Sequence, residues 1–138
     1  MRARLPASDG FVDRDGVKIF YEVYGDGPET MVFLPPWSIV HGRIYKAQVP
    51  YFSERFRCIT FDPRGNGKSD RPREASAYTL ANFIGDALAV IGAEPRAGHT
   101  LVLGRTGSGK TLGTAFLMAQ ARRVHARILA IDKDRGLE

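Results

Sequence analysis

Phe56-Arg57-Cys58-Ile59-Thr60-Phe61-Asp62-Pro63-Arg64-Gly65-Asn66-Gly67-Lys68-Ser69 is the stretch that decides the fold. Its apolar first part, Phe56 to Phe61, predicts a strand, and the Gly-rich loop after it is closed by Arg71-Pro72-Arg73. A helix should follow, with Thr79 as its cap, because apolar side chains then recur at helical spacing. These side chains are Leu80, Phe83, Ile84, Ala87, Leu88 and Ile91. A strand, a tight loop and a helix in this order are typical of an α/β sheet.

Upstream, the pattern predicts a hairpin and then a buried strand. Phe11-Val12 and the alternating apolar residues from Val17 to Val23 flank Asp15-Gly16, a pair typical of tight hairpin turns. Met31 to Leu34 is a short continuous apolar run, as in strands of a parallel sheet that are buried on both faces. We expect a weak helical region over residues 43–54, interrupted by Pro50.

Downstream, Gly104-Arg105-Thr106-Gly107-Ser108-Gly109-Lys110-Thr111 matches the phosphate-binding pattern G-x-x-x-x-G-K-[ST] in full. A predicted strand, Thr100 to Leu103, precedes it, and a helical pattern follows from Thr111, ahead of a last strand over residues 128–131. In such a loop backbone N–H groups surround phosphate oxygens, the lysine reaches the terminal phosphates and the threonine hydroxyl ligates Mg²⁺. The predicted phosphate-binding residues are Gly104, Thr106, Gly107, Ser108, Gly109, Lys110 and Thr111, with Thr111 and Asp132 as candidate Mg²⁺ ligands. The alternative for Asp132 is a strand-end residue that caps the next turn.

The predicted fold class is α/β, with a mostly parallel three-layer sheet, an N-terminal antiparallel hairpin, and the P-loop after a central strand. Residues 1–9 are expected to be a flexible leader, and residues 92–98 form the most linker-like segment. The chain therefore divides into a first unit over residues 10–91, a junction, and a second unit over residues 99–138.

Residues 10–91 resemble the N-terminal part of the α/β-hydrolase family. The resemblance is carried by the Asp15-Gly16 hairpin, by Phe33-Leu34-Pro35-Pro36-Trp37-Ser38, and by the D-x-R-G-x-G-x-S loop from Asp62 to Ser69. It implies that the loop after Leu34 supplies an oxyanion-hole N–H, for which Trp37 has the donor and Pro36 does not. Asp62 and Arg64 are expected to brace the Gly-rich turn.

The same resemblance requires a nucleophile elbow, G-x-S-x-G, at the strand after the helix, and the sequence has none there. Thr106 stands at the nucleophile position and Ser108 at that of the second glycine, so the P-loop occupies the slot of the elbow. No catalytic triad is expected within these residues. His41, His99 and His125 are interpreted as surface or loop imidazoles.

Residues 98–138 resemble the start of the P-loop domain of conjugative-transfer and type IV secretion ATPases. The resemblance is carried by residues 98–104, by Thr106 to Thr111, and by Ile131-Asp132-Lys133-Asp134-Arg135-Gly136. The sequence departs from it at Arg105, where proline is usual, and at Gly113. It implies a truncated unit without most of the residues that hydrolyse ATP.

Composition limits the remaining function classes. The 43% hydrophobic and 25% charged content suits a globular domain, and no apolar run approaches the ~20 residues needed to cross a bilayer. The net charge of +5 lies mostly in residues 98–138, with 7 Lys/Arg against 3 Asp/Glu. Nucleic acid is not expected as a partner, because no aromatic residues interleave these cations. We expect a cytoplasmic protein with a buried, inert Cys58, and a homo-oligomer is possible.

The main functional prediction is a P-loop module that binds ATP or GTP with Mg²⁺, weakly and with slow or no turnover. The first alternative is an esterase-type α/β hydrolase without its triad, and the second is a folded fusion relic with neither activity.

Overall fold

The computed structural model describes residues 4–35, 39–93 and 100–103, the last of these as backbone only. The elements in chain order are β1 (Ser8–Arg14), β2 (Val17–Tyr24), β3 (Thr30–Phe33), a 3-10 helix (Gly42–Tyr45), α1 (Gln48–Phe52), β4 (Arg57–Phe61), a second 3-10 helix (Ala75–Tyr78), α2 (Leu80–Ala93) and β5 (Thr100–Leu103).

The predicted hairpin is confirmed. Asp15 and Gly16 both adopt positive φ, 54° and 80°, as a two-residue turn that matches the twist of its strands requires. The Asp13 carboxylate accepts a hydrogen bond from the Gly16 amide at 2.9 Å. Strand β1 begins at Ser8, inside the predicted leader, because Ser8 pairs with Val23 of β2.

The five strands form one sheet in the order β1-β2-β4-β3-β5. β3 is parallel to both of its neighbours, β4 and β5, whereas β2 is antiparallel to β1 and to β4. Within the described residues the sheet is therefore mixed, not mostly parallel. The pairing of β2 with β4 is the contact that the sequence pattern did not reveal.

Helices cover both faces of this sheet, so the three-layer prediction holds for the described residues. One face packs on α2 through a core that includes Val32, Ile59 and Val90. The other packs on α1 and the first 3-10 helix through Met31, Phe33, Val49 and their neighbours. β3 lies between the two cores, and all four of its residues are buried, as the apolar run predicts.

The helical region after β3 differs from its prediction in the place where it breaks. Pro50 lies inside α1, and the break comes before it, between Tyr45 and Gln48. A proline is tolerated there because the first-turn N–H groups of a helix have no partner within the helix. By contrast, α2 matches its predicted extent closely, and the Thr79 hydroxyl accepts from the Asn82 amide at 3.2 Å as the predicted cap.

Among the residues that the structure describes, none belongs to a helix with the length and apolar character needed to cross a bilayer.

Candidate active site

The carboxyl ends of β3, β4 and β5 meet at one edge of the sheet, and the candidate site lies there. β3 and β5 are hydrogen-bonded neighbours in parallel register, with Phe33 opposite Leu103. The last paired residues of the two strands, Phe33 and Leu103, therefore lie side by side at this edge. In open α/β sheets ligands bind at such an edge, beyond the carboxyl ends of the strands.

Tyr45 holds the start of the segment that follows β3. Its hydroxyl donates a hydrogen bond to the Leu34 carbonyl, and its ring packs against Phe33 with centroids 4.9 Å apart. Burial raises the pKa of the Tyr45 phenol to about 12, so the hydroxyl keeps its proton well into the alkaline range.

Asp62 holds the other end of the segment that follows β3, at Gly42. Its Oδ1 accepts from the Gly42 amide at 2.8 Å, and its Oδ2 accepts from the Lys68 amide at 2.9 Å. Gly42 passes so close to β4 that a Cβ there would lie 2.9 Å from the Phe61 carbonyl oxygen. The segment between Leu34 and Gly42 is thus fixed at both ends by side chains outside it.

The Gly-rich loop is shaped around the same carboxylate, which confirms that Asp62 braces the turn. Gly67 has a φ of +52°, and a Cβ there would lie 1.9 Å from Asp62 Oδ2. The Ser69 hydroxyl donates to the Asp62 carbonyl at 2.6 Å and accepts from the Phe20 amide at 2.8 Å, which connects the loop to β2.

Arg64 joins this loop to α2. Its Nε and one terminal nitrogen bind both carboxylate oxygens of the fully buried Asp86, at 2.7 and 2.6 Å. The hydrogen bond to Asp86 raises the pKa of Arg64. Arg14 reaches the same carboxylate at 3.3 Å, so two guanidinium groups compensate one buried charge.

A second buried carboxylate lies on β2, where Glu22 is opposite Thr60 of β4. Glu22 is 3% exposed, accepts a hydrogen bond from Tyr24 at 2.7 Å and pairs with Arg43 at 3.0 Å. Burial, and then the contact with Glu22, raises the pKa of Tyr24 well above its ordinary value. The hydrogen bond to Glu22 raises the pKa of Arg43.

Most of the site residues predicted from sequence lie outside the described residues. This applies to Pro36 and Trp37 of the oxyanion segment, to His99 and His125, to the P-loop over residues 104–111, and to Asp132. The roles of residues 104–111 in binding phosphate, and of Thr111 and Asp132 in binding Mg²⁺, stay predictions. His41 is described, and it is an exposed cap whose Nδ1 accepts from the Arg43 amide at 3.2 Å. The described ranges hold no cluster of three or more metal-ligating side chains.

Sequence reasoning missed two residues, Tyr45 and Asp86, that hold the loops around the candidate site in place. Tyr45 looks like an ordinary apolar residue of a weak helix, and nothing local identifies Leu34 as its partner. Asp86 did carry a signal, because a carboxylate one residue before Ala87 interrupts an otherwise apolar part of α2. A buried acid in such a place requires a cationic partner.

Comparisons with known proteins match this chain to one family model and to several relatives. Residues 31–97 match the family model described as alpha/beta hydrolase fold. A probable oxidoreductase, EphD, of Mycobacterium tuberculosis (strain ATCC 25618 / H37Rv) is 42% identical over 80 residues, which cover 56% of this chain and 13% of EphD. A pimeloyl-(acyl-carrier protein) methyl ester esterase of Methylococcus capsulatus is 30% identical over 113 residues, covering 82% of this chain and 39% of the esterase.

The solved structure of Est816, described as an N-acyl homoserine lactone degrading enzyme, is 29% identical with a TM-score of 0.69, and the match covers 89% of this chain and 44% of Est816. This chain therefore spans less than half the length of each of these three relatives.

These matches correct the main functional prediction. The family model describes the alpha/beta hydrolase fold, one relative is an esterase, and Est816 is a lactone-degrading enzyme. None of these matches supports a P-loop nucleotide-binding module or a fusion to an ATPase. The esterase match spans 113 residues, and only 98 precede residue 99, so the similarity continues beyond the linker-like segment. A full match to G-x-x-x-x-G-K-[ST] misled the interpretation, because a strand, a Gly-rich turn and a helix are also what a hydrolase places at this point. The fold is the α/β hydrolase fold with a mixed sheet.

Proposed function

We propose that this chain forms the nucleophile and oxyanion side of an esterase-type α/β hydrolase that acts on a carboxylic ester or lactone. The observation that carries the proposal is the parallel pairing of β3 with β5, with Phe33 opposite Leu103. In this fold the nucleophile follows one of these strands, and an N–H of the oxyanion hole comes from the loop after the other.

The chemistry needs both loops at once. A nucleophilic oxygen from the segment after β5 attacks the ester carbonyl, and the developing oxyanion accepts hydrogen bonds from backbone N–H groups. The Tyr45 and Asp62 contacts support this role, because they fix the two ends of the segment that would supply one donor. A donor held in place before the reaction stabilises the transition state without reorganisation.

The substrate class is inferred from the relatives. A methyl ester and a lactone both contain a carboxylic ester group, and these are the groups named for the esterase of Methylococcus capsulatus and for Est816. Both matches cover more than four fifths of this chain.

The sequence at the nucleophile position departs from the usual elbow, with Thr106 in place of serine and Ser108 in place of the second glycine. A β-branched residue at a strained corner is a poor nucleophile. We therefore expect these 138 residues to react slowly with activated esters and to be deacylated slowly.

The test is the reaction with p-nitrophenyl acetate. The variant Thr106→Ser with Ser108→Gly restores G-x-S-x-G, and we expect it to release a faster burst of p-nitrophenolate than the parent. The variant Thr106→Ala should release p-nitrophenolate no faster than the buffer alone. Mass spectrometry of the digested protein should place one acetyl group on the peptide that contains residue 106. Equal rates in all three proteins, each shown to be folded by circular dichroism, would overturn the proposal.

A further inference from the structure

A cavity of about 280 Å³ lies over β2 and β4, next to the residues that hold the segment after β3, because Gly42 and Tyr45 belong to its lining. Its floor includes Tyr24 of β2 and Thr60 of β4, and its walls are the 3-10 helix, the start of α1, and the N-terminal residues 4–6. The Ala7 amide donates to the Val23 carbonyl at 2.7 Å, which holds the N-terminal wall against β2.

Three cationic side chains line this cavity: Arg4, Arg43 and Lys46. No carboxylate is among its described lining residues. Arg43 is already compensated by Glu22 at 3.0 Å, which lies beneath it on β2. Arg4 donates to the neutral Ser53 hydroxyl at 2.9 Å, and Lys46 is exposed, so these two side chains supply the cavity's excess positive charge.

The rest of the lining is largely apolar. Val49 is buried against the cavity, and the rings of Tyr24 and Tyr45 add aromatic surface. Both phenol hydroxyls are engaged elsewhere, Tyr24 with Glu22 and Tyr45 with the Leu34 carbonyl. A ligand would therefore find an apolar interior with its polar contacts concentrated at the cations.

We propose that this cavity binds a short aliphatic carboxylate, with the alkyl chain against Val49 and the tyrosine rings and the carboxylate between Arg4 and Lys46. Its volume falls just below the range of about 300 to 1,000 Å³ common for ligand pockets, which restricts the occupant to a short chain. A carboxylate accepts from guanidinium and ammonium groups by charge-assisted hydrogen bonds, whereas an alcohol gains none of this energy. Gly42 and Tyr45 line this cavity and also hold the segment after β3, but binding of a carboxylate here does not require the proposed ester hydrolysis.

The test is a titration of the 138-residue protein with hexanoate. Calorimetry measures the affinity, and amide chemical shifts report which residues the ligand affects. We expect saturable binding, with the largest shifts at the Gly42 and Val49 amides. Hexanol has the same alkyl chain without the charge and should bind at least tenfold more weakly.

The double variant Arg4→Gln with Lys46→Gln should lose at least tenfold in affinity for hexanoate. The matched control, Arg73→Gln, removes an exposed cation outside the cavity and should bind like the parent. Absence of saturable hexanoate binding overturns the proposal. So does equal binding of hexanol, or equal affinity in the double variant and the parent.

Discussion

The Asp62 Oδ1 atom accepts a hydrogen bond from the Gly42 amide at 2.8 Å, so the carboxylate that shapes the Gly-rich loop also fixes the end of the segment after β3. Its other oxygen accepts from the Lys68 amide at 2.9 Å. Asp62 is 7% exposed and Gly42 is buried, so the Gly42 amide has no water as a ready substitute for this carboxylate. One side chain therefore sets the relative position of two loops at the candidate site.

Asp62→Asn is expected to lower the free energy of unfolding by about 2 kcal/mol. An asparagine has one acceptor oxygen, so its NH₂ group would face one of the two amide donors and leave that donor unsatisfied. Urea denaturation followed by circular dichroism measures the loss. Asp26→Asn, at an exposed position, is the control and should stay within about 0.5 kcal/mol of the parent. A parent-like midpoint for Asp62→Asn would contradict this account of the loop.

Tyr45→Phe removes the hydroxyl that donates to the Leu34 carbonyl and keeps the ring against Phe33. We expect a loss of about 1 kcal/mol in the free energy of unfolding. We also expect a change in the fluorescence of Trp37, the one tryptophan in the sequence, which follows Leu34 by three positions. Tyr51→Phe changes a 64% exposed tyrosine and should alter neither quantity. Identical emission spectra for Tyr45→Phe and the parent would rule out the proposed positioning of this segment.

Gly67→Ala and Gly16→Ala form a matched pair, because both glycines have positive φ, +52° and +80°. A Cβ at Gly16 would meet nothing within 4 Å, whereas a Cβ at Gly67 would lie 1.9 Å from Asp62 Oδ2. The conformational penalty of about 1 to 2 kcal/mol is common to both variants. We therefore expect Gly67→Ala to be clearly the less stable in urea. Equal midpoints would show that the Asp62 carboxylate moves aside freely.

Cys58 is fully buried, and burial raises the pKa of its thiol from 9.0 to about 12. The native protein therefore holds the thiol proton that the unfolded chain releases above pH 9. This contribution to stability is complete below pH 9 and is lost as the pH rises from 9 to 12.

At pH 10 the loss from Cys58 is on the order of 1 kcal/mol, so Cys58→Ala should lose less stability than the parent between pH 8 and pH 10. If the urea midpoints of the two proteins changed equally across this pH range, the raised pKa of Cys58 would be contradicted. A thiol reagent at pH 8 gives a second measurement, since Cys58 should react only after unfolding.

Local sequence patterns predicted the elements of this fold well. The Asp15-Gly16 turn, the buried run at β3 and the apolar stripe of α2 each follow from interactions within a few residues. The buried state of Cys58 followed from its place in the strand. The mixed sheet did not follow, because the pairing of β2 with β4 joins residues far apart in the chain and leaves no local periodicity.

The candidate site was harder to predict for the same reason. The contacts from Asp62 to Gly42, from Arg64 to Asp86 and from Tyr45 to Leu34 cross between elements, so single-residue patterns identify at most one partner of each pair. The wrong functional prediction, a P-loop module that binds nucleotide, had a related cause. The motif over residues 104–111 is a local pattern, and local patterns do not distinguish a phosphate loop from another Gly-rich turn at the end of a β-strand.

The position of β3 between β4 and β5 also constrains the order in which the chain folds. The β1-β2 hairpin closes over a two-residue turn, whereas Thr30 can pair with Thr100 only by bringing together residues about 70 positions apart. Closing a long loop costs more entropy than closing a short one, and distant pairings form slowly. The sheet should therefore assemble from the hairpin edge toward β5. The pairing of β3 with β5, on which the proposed ester chemistry depends, would then be the last of the sheet to form.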